Sequence, residues 1–541
     1  MSVPPPPPTH RYWPWALLWS GVFALAHTQS PLYYSNQHQY FLHGLADAGV
    51  GLLGEDWLAN TQDPTPVYTA LVTKAYEWFG PFAFQVFYFI LLGVYFESIR
   101  RLVEAVPGFP ARGPARVVFL TLFVAAHAAV LRVVSVELTG VDYPWYLQSG
   151  VAGQYVLGPG LQPSAFGVLL VTSLAAFANG RSVLAAGLAA AAAALHSTYM
   201  LPAALMTLGY MLVLCREGQA LRALAAGLLA LAMVVPVVVH NVRAFFPDDA
   251  HGFREAQRLI AEVRIPHHAV VDRWLDGIAV AQLVAMFVAI ALVRRTRLFP
   301  VLVFVTAVCV VLTIIQVLTG SHTLALLFPW RFSAVLMPVA TALTLAHLSR
   351  FIGQRLEHRE AACRGVIVSC AIITAALVAG GMDVLWRELG YRMNEAEVPL
   401  LNFVKEHKKP GDVYLLPVRF PNLTGARRGS VSTTFTPPPR AQPGATLIPV
   451  DLQRFRLHTE APIYVDFKAV PYAEADVLEW HRRMRDCERW YEQRLWDDGM
   501  IREVRAAGIT HVVATADRDV TSPDLDLVYR DEGYRLYRVK D

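Results

Sequence analysis

Apolar residues recur along the first two-thirds of the chain in unbroken runs, not at alternate positions or along one helical stripe. A run without a polar face has nothing to show to water, so these runs predict helices solvated by lipid or by one another. They fall near 13–33, 82–99, 117–134, 161–178, 183–196, 199–215, 221–240, 276–293, 298–319, 332–348 and 365–382. A bilayer is crossed by about 20 apolar residues, so the fifth and sixth runs are short. The stretch 183–215 reads either as one helix kinked around 196–202 or as two short helices buried among others. The two-helix reading is preferred because it preserves the charge alternation described next. From 383 the pattern becomes that of a water-soluble domain: helix 396–407, strands 412–416, 447–457 and 462–467, helices 473–495 and 497–507, strand 510–515 and a hairpin over 526–539. Residues 421–446, rich in Pro, Gly, Ser, Thr and Arg, read as a mobile loop. The fold class is therefore an α-helical polytopic membrane protein of about eleven helices (12–382) with a C-terminal α/β domain (383–541).

Charge adds a direction. Only 17% of the 541 residues are charged, and the deficit lies in the apolar part. Arg100, Arg101, Arg112 and Arg116 share one loop, Arg294, Arg295 and Arg297 another, and Arg350, Arg355, Arg359 and Arg364 a third; Arg11, Arg181, Arg216 and Arg222 fall at the remaining alternate loops. The positive-inside rule makes that side cytoplasmic. Residues 33–66 and 135–160 contain no Lys or Arg and read as outside, and an odd helix count puts 383–541 outside as well. The lipid bilayer is thus one expected partner, with the chain multi-pass in the cell membrane. A net charge of +4, from 47 basic and 43 acidic residues, is too balanced to suggest a nucleic-acid partner. Five cysteines, four of them in or beside apolar segments, exclude a disulfide framework. Residues 1–11 are Pro-rich and read as disordered. The run from Trp15 to Leu32 is too long and aromatic for a signal-peptide core, and reads as a retained helix.

Candidate chemistry concentrates in the outer loops. Residues 33–66 carry Asp47, Glu55, Asp56 and Asp63 with no cation nearby, so the carboxylates repel one another and gain affinity for protons or for a divalent cation such as Mg or Mn. The same composition also follows from the positive-inside rule alone. A surface helix over 38–53 would place His43 and Asp47 on one face. Loop 241–275 breaks the charge rule with Arg243, Arg254, Arg258, Arg264 and Arg273. Two readings stand open: an amphipathic helix over 253–263 with its cations at lipid headgroups, or an anion site including Arg264, His267 and His268. Arg331 follows Pro329-Trp330 between two runs and could bond a phosphate bidentately, or snorkel to the interface. Asp142, Gln154 and Gln162 lie among Tyr143, Trp145, Tyr146 and Tyr155. Rings stack on sugar C–H faces and amides bond sugar hydroxyls; an interfacial aromatic belt gives the same composition. No third ligand at zinc spacing accompanies His267 and His268.

This layout resembles the GT-C superfamily of polyprenyl-phosphate-sugar-dependent membrane glycosyltransferases, and the chain is similar to uncharacterised bacterial proteins near it. The resemblance rests on the first helix, the acidic outer loop, the many helices and the outer α/β domain, and on Asp63-Pro64-Thr65-Pro66 leading into the second helix. It implies an inverting transfer on the extracytoplasmic face, from a polyprenyl-phosphate-linked sugar donor to a glycan, lipid or protein acceptor. An Asp or Asp-Glu pair usually follows the first helix and serves as the base. Asn36 and Gln37 stand there in this chain, which moves the base downstream to Asp56 or Asp63, with Asp47 the third candidate. The expected binding residues are Asn36, Gln37, His43, Asp142, Gln154, Gln162, Arg264, His267, His268 and Arg331. Two rivals remain: a transporter or flippase, against which there is no duplicated pattern between the two halves, and a non-catalytic scaffold descended from such an enzyme, which Asn36 and Gln37 favour.

Overall fold

The computed structural model describes residues 13–109, 113–356, 359–391, 395–421 and 452–540. The Pro-rich start, all but the first residue of the 421–446 loop and the beginning of the 447–457 strand lie outside them.

The apolar runs are helical: Trp13–His27, Phe82–Glu104, Pro114–His127, Ala129–Thr139, Val168–Ala178, Ser182–Leu195, Met200–Arg216, Ala220–Ala244, Gly277–Leu292, Leu298–Thr319, Ser333–Leu356 and Glu360–Trp386. Among the described residues six helices are long and apolar enough to cross a membrane, or seven if Pro114–His127 and Ala129–Thr139, bent by 55°, form one span. The bend comes from Ala128, whose backbone is extended (φ −68°, ψ 127°). Residues 183–215 are two helices, separated at His196 by an extended residue (φ −150°, ψ 110°). The segment His322–Leu356 is central, with 78% of its apolar window buried, whereas Ala220–Ala244 and Glu360–Trp386 bury only 17%. Leu221, Leu231, Val242, Ile372 and Trp386 stand exposed on those outer helices. Apolar side chains in such numbers facing outward are what a lipid solvent requires and what water opposes.

One helix has no counterpart in the apolar pattern. Pro66–Phe79 carries Lys74 and Glu77, yet buries Tyr68, Val72 and Ala75. Pro66 occupies its first turn, where a missing N–H costs nothing. It lies against the helix Leu42–Asp47, closely enough that a side chain at Gly44 would meet Val72 at 2.7 Å. The surface helix expected over 38–53 is shorter and broken: Gln37–Tyr40, Leu42–Asp47 and a 3₁₀ turn Leu53–Glu55. Gly49 and Gly51 take positive φ between the last two, which ends the helix.

Contacts sort the connections into two sets. On one side Arg297 pairs with Glu217 at 2.7 Å, and the Arg350 guanidinium closes over Gly108. On the other, the Ser30 N–H donates to the Pro159 carbonyl at 2.6 Å, Asn36 Nδ2 donates to the Tyr155 hydroxyl at 3.1 Å, and Gln37 Nε2 donates to the Leu161 carbonyl at 3.0 Å. The C-terminal domain rests on this second set. The Leu52 N–H donates to the Glu460 carbonyl at 2.9 Å, the Gly411 N–H to Glu55 Oε2 at 2.8 Å, and the Asp248 and Asp249 N–H groups to Glu474 Oε1 at 3.0 and 2.9 Å. The C-terminal domain therefore packs on the first outer loop, which has no Lys or Arg, and also on the Arg-rich loop 241–275.

The C-terminal domain is a four-stranded sheet with helices packed against it. Its order is Tyr414–Leu415, His511–Thr515, Tyr534–Val539, Leu525–Arg530, the first pair parallel and the others antiparallel. Helices Val398–His407, Glu474–Glu492 and Asp498–Ala506 match the expected ones within a few residues. Among the described residues two expected strands do not form, of which 447–457 is described only from 452. Residues 455–459 form a short helix, Phe455–Thr459. Residues 462–467 are extended but share only a single bridge, Tyr414 to Ile463, with the sheet. The segment is buried throughout: Ile463 joins one apolar cluster of the domain and Tyr464, Val465 and Phe467 the other, while the Ile463 N–H bonds Asp56 of the first outer loop.

Candidate functional site

Three cations converge where the outer loops meet the C-terminal domain. Arg264 follows the helix Ala250–Arg258 and a π-helical turn, Leu259–Arg264. The apolar face of this segment, Ala256 and Leu259, packs on Val477 of the C-terminal domain. That corrects the headgroup reading of the amphipathic helix: its partner is protein. Arg264 is buried, donates through Nε and Nη2 to the Lys468 carbonyl, and lies 5.4 Å from the Phe467 ring centroid. Lys468 is buried as well, its Nζ donating to Ser35 Oγ at 3.0 Å. Arg331, in the 3₁₀ turn Pro329–Phe332, donates through Nη1 to Gln154 Oε1 and stacks 4.8 Å over the Tyr199 ring. His268 and Tyr40 lie within electrostatic reach of both arginines, and His267 of Arg264 and Lys468.

Among the described residues no carboxylate forms an ion pair with any of the three. Asp466 is the nearest counter-charge: its Oδ1 accepts the Lys468 N–H at 2.8 Å, and its field reaches Lys468 and Arg264. An unpaired buried ion carries a desolvation cost of several kcal/mol. Here the cost is visible in the proton equilibria. Burial, reinforced by Arg264, pushes the Lys468 amine down to about 7. Burial, then the charges of His268, Arg264 and Lys468, holds His267 well below its usual range, and burial brings His268 to about 4. Burial and then Lys468 depress His38 in the same way. Several polar atoms in this region have no partner among the described residues: the donor Arg331 Nε and the ring nitrogens His267 Nδ1, His196 Nδ1 and His38 Nδ1, each of which donates in one tautomer and accepts in the other. A buried, under-neutralised cluster with orphaned donors is organised for an anion that also accepts hydrogen bonds.

The rest of the site is aromatic and amide. Tyr155 accepts from Asn36 and from Gln162 Nε2 (3.2 Å) and packs 5.3 Å from Trp145. Gly158 lets this pair close, since a side chain there would strike Gln162 and Tyr155. Tyr40 packs edge-on to His196 at 5.8 Å, and His196 to Tyr199 at 5.3 Å. Of the expected binding residues, Asn36, Gln37, Gln154, Gln162, Arg264, His267, His268 and Arg331 are therefore brought together, His268 through a bond to the Ala152 carbonyl. His43 lies nearby, its Nδ1–H donating to the Ala59 carbonyl at 3.1 Å. Asp142 is elsewhere: it caps the helix Tyr143–Tyr146 and accepts from Arg132 at 2.6 Å. A carboxylate neutralised by a buried arginine holds the bent helix pair to its loop and offers no free oxygen to a sugar.

The candidate bases do not join the cations. Asp56 is fully buried; Oδ1 accepts the Leu58 N–H at 2.9 Å, and Oδ2 accepts Arg456 Nε at 2.9 Å and the Ile463 N–H at 3.0 Å. Three of its roughly four acceptor directions are taken, two of them by the C-terminal domain, so Asp56 anchors that domain to the outer loop. Asp47 is exposed at the end of its helix. Asp63 is half-buried; Oδ1 accepts the Thr65 N–H at 2.8 Å, while Oδ2 has no partner among the described residues. Among those residues no group of three or more His, Cys, Asp or Glu could hold a metal ion, and a divalent cation beside Arg264, Arg331 and Lys468 would be repelled.

A family model described as a domain of unknown function, DUF6798, matches residues 444–487. That stretch supplies Arg456, Asp466, Lys468 and Tyr472, the part of the C-terminal domain that closes the site. No curated protein matches the chain.

The titration of Lys468 makes a prediction with a defined sign. Its protonated form attracts an anion, and its folded-state value is lowered to about 7. Raising pH through that value discharges it. A dialkyl phosphate carries a single charge throughout this range, so its affinity is expected to fall by up to about tenfold per pH unit above pH 7. The fall levels off once pH passes the raised value in the complex. Calorimetric titration of the full-length protein between about pH 6 and pH 9 measures it, and Lys468→Met is expected to flatten the profile. A flat wild-type profile would exclude Lys468 from the site.

Proposed function

We propose that the chain is a GT-C-like membrane glycosyltransferase of eleven spans, with its N-terminus cytoplasmic and its C-terminal domain outside, that uses a polyprenyl-phosphate-linked sugar. One observation carries this: three buried cations without ion-pair partners among the described residues, with tyrosine rings and amides beside them, where the 33–66, 135–160, 241–275 and 329–332 segments meet the C-terminal domain. The cations suit a phosphate, the rings and amides suit the attached sugar, and the apolar helices suit the lipid.

In this reading an acceptor hydroxyl attacks the anomeric carbon as the C–O bond to phosphate breaks. The bonding electrons leave with the lipid phosphate, whose developing charge Arg331 and Arg264 meet. The acceptor proton goes to a carboxylate. Asp63 is the best placed of the three candidates, because it retains an uncommitted oxygen in the Gln62–Thr65 turn beside an open cleft. The phosphate is neutralised by protein cations, so transfer is expected to need no added divalent cation.

The test is transfer by the purified full-length protein in lipid nanodiscs, supplied with a panel of polyprenyl-phosphate sugars and scored for covalent product. Asp63→Asn is expected to abolish product while leaving donor binding in place; product formation by that variant at the wild-type rate would remove Asp63 from the mechanism. Substrate flux across proteoliposomes without covalent product would instead favour the transporter. A second reading, a binding protein for lipid-linked sugars, is favoured by Asn36 and Gln37. Their amide donors tie the first outer loop to Tyr155 and Leu161, a role that an acidic pair could not fill.

A further inference from the structure

A second concentration of positive charge lies where three connections between helices meet. Arg297 donates through Nε and Nη2 to the two oxygens of Glu217, both at 2.7 Å, and lies 4.7 Å over the Phe177 ring. It thereby ties the turn before Leu298–Thr319 to the turn before Ala220–Ala244 and to the end of Val168–Ala178. Glu217 is the one carboxylate in residues 143–247, and residues 277–356 contain none. Its oxygens are spent on Arg297, and Oε2 also accepts Gln219 Nε2 at 3.2 Å. Arg181, Arg216, Arg222, Arg294 and Arg295 flank these same connections and are exposed. Among the described residues none of the five forms an ion pair. Other arginine-rich connections are matched: Arg100, Arg101 and Arg116 pair with Glu97 and Glu104, and Arg364 with Glu360.

The helices that carry these arginines are apolar on their outer surface. Met200–Arg216 lies between Ala220–Ala244 and Leu298–Thr319 and packs on both: Met211 reaches Gly227, and Gly209 leaves room for Val301. Leu208 and Leu212 of this middle helix remain exposed, as do Leu221, Leu224 and Leu228 of one neighbour and Val303 of the other. Arg216 ends the middle helix, and Arg222 is next to Leu221. We infer that this seam binds an anionic phospholipid, with its phosphate bonded by Arg216, Arg222, Arg294 and Arg295 and its acyl chains laid on the exposed leucines. A water-soluble anion would satisfy the arginines but leave the leucines uncovered. A zwitterionic lipid brings its own cation to a place that already lacks counter-charge. The positive-inside rule accounts for arginines in each connection taken singly; it does not bring three connections together around one spent carboxylate. Guanidinium groups bond phosphate oxygens bidentately, so several of them at one leaflet edge select a phosphate headgroup. The inference rests on these helices facing lipid and not on the transferase reading, since none of its residues belongs to the cationic site at the C-terminal domain.

Lipid retention can be read without turnover. Full-length protein purified in detergent would be titrated with phosphatidylglycerol and with phosphatidylcholine of matched chains, and the bound lipids counted by native mass spectrometry. Phosphatidylglycerol is expected to be held about 100-fold more tightly, and the pairs Arg216→Gln with Arg222→Gln and Arg294→Gln with Arg295→Gln are each expected to lose about tenfold of that. All four side chains are exposed, so the variants test the site without disturbing the fold. Arg355→Gln with Arg364→Gln removes the same charge from exposed positions outside the seam and is expected to change little. The inference is overturned if the two lipids are held equally, if both seam variants hold phosphatidylglycerol as wild type does, or if the control pair loses as much as they do. It is also overturned if glycerophosphoglycerol, the same headgroup without chains, displaces the lipid at equal concentration, because the site would then serve a soluble anion. A polyprenyl phosphate held more tightly than phosphatidylglycerol, and lost in the same variants, overturns it in favour of a second place for that lipid.

Discussion

Replacing Arg331 with methionine is expected to weaken binding of a polyprenyl phosphodiester by about 100-fold while leaving the thermal stability of the unliganded protein unchanged or slightly higher. The two signs follow from one fact. Arg331 is buried, held by Gln154 and the Tyr199 ring, with Nε unpartnered and no carboxylate paired to it among the described residues. Truncating one side of a buried, hydrogen-bonded charge pair costs on the order of 2–5 kcal/mol in a complex, and about 2.8 kcal/mol is 100-fold. In the free protein the pair does not exist, and removing an uncompensated cation relieves its desolvation. Methionine keeps much of the side-chain volume. Arg331→Lys keeps charge but loses the planar fork and the ring stacking, and is expected to fall between the two. Calorimetry for binding and differential scanning for stability separate the cases. If Arg331→Met binds the phosphodiester as wild type does, or if its loss of binding comes with a proportionate fall in Tm, Arg331 supports the fold and not a ligand.

The sequence was most legible where one solvent dictated the pattern. A helix without a polar stripe leaves an unbroken apolar run, so the runs are helical, but their ends shift: 13–33 stops at His27, 332–348 continues to Leu356, and 117–134 is two helices bent by 55°. The amphipathic helix Pro66–Phe79 escaped because Lys74 and Glu77, on its exposed side, break the linear apolar run, while its buried face packs on protein. The strands expected at 447–457 and 462–467 were misread where described because an apolar pattern reports burial, not hydrogen bonding: 455–459 is a short helix, and 462–467 sits between two apolar clusters of the domain. The cations of the site were partly legible: Arg264, His267, His268 and Arg331 stood out as cations or imidazoles where the positive-inside rule wants none. Lys468 did not, although a lone lysine inside Phe467-Lys468-Ala469-Val470 is a faint sign of a buried amine. The carboxylates misled for an electrostatic reason. A sequence shows a carboxylate without showing its partner, and Asp56 and Asp142 have buried arginines 400 and 10 residues away.

That long-range partner gives the second large effect. Asp56→Asn is expected to destabilise the protein by about 3–5 kcal/mol, because it strands Arg456 in a site where both side chains are almost wholly buried. The asparagine has a single acceptor oxygen, so it can keep the Leu58 or the Ile463 bond but not both, and it cannot neutralise a guanidinium whose Nη1 is already unpartnered. The loss should appear as a lower Tm and as faster proteolysis of the C-terminal domain from the rest of the chain, since Asp56 joins the first outer loop to the segment 456–463. Pairing Asp56→Asn with Arg456→Met removes the stranded charge and is expected to recover most of the stability. This separates the anchor from a catalytic base. A base replaced by asparagine leaves Tm where it was and removes only turnover, and changing Arg456 would not restore anything. If Asp56→Asn keeps the wild-type Tm, or if the double variant is no more stable than the single one, then the ion pair does not hold the two parts together. The donor site, which needs Lys468 from one part and Arg331 from the other, would then lack the joint that brings them within reach of a single phosphate.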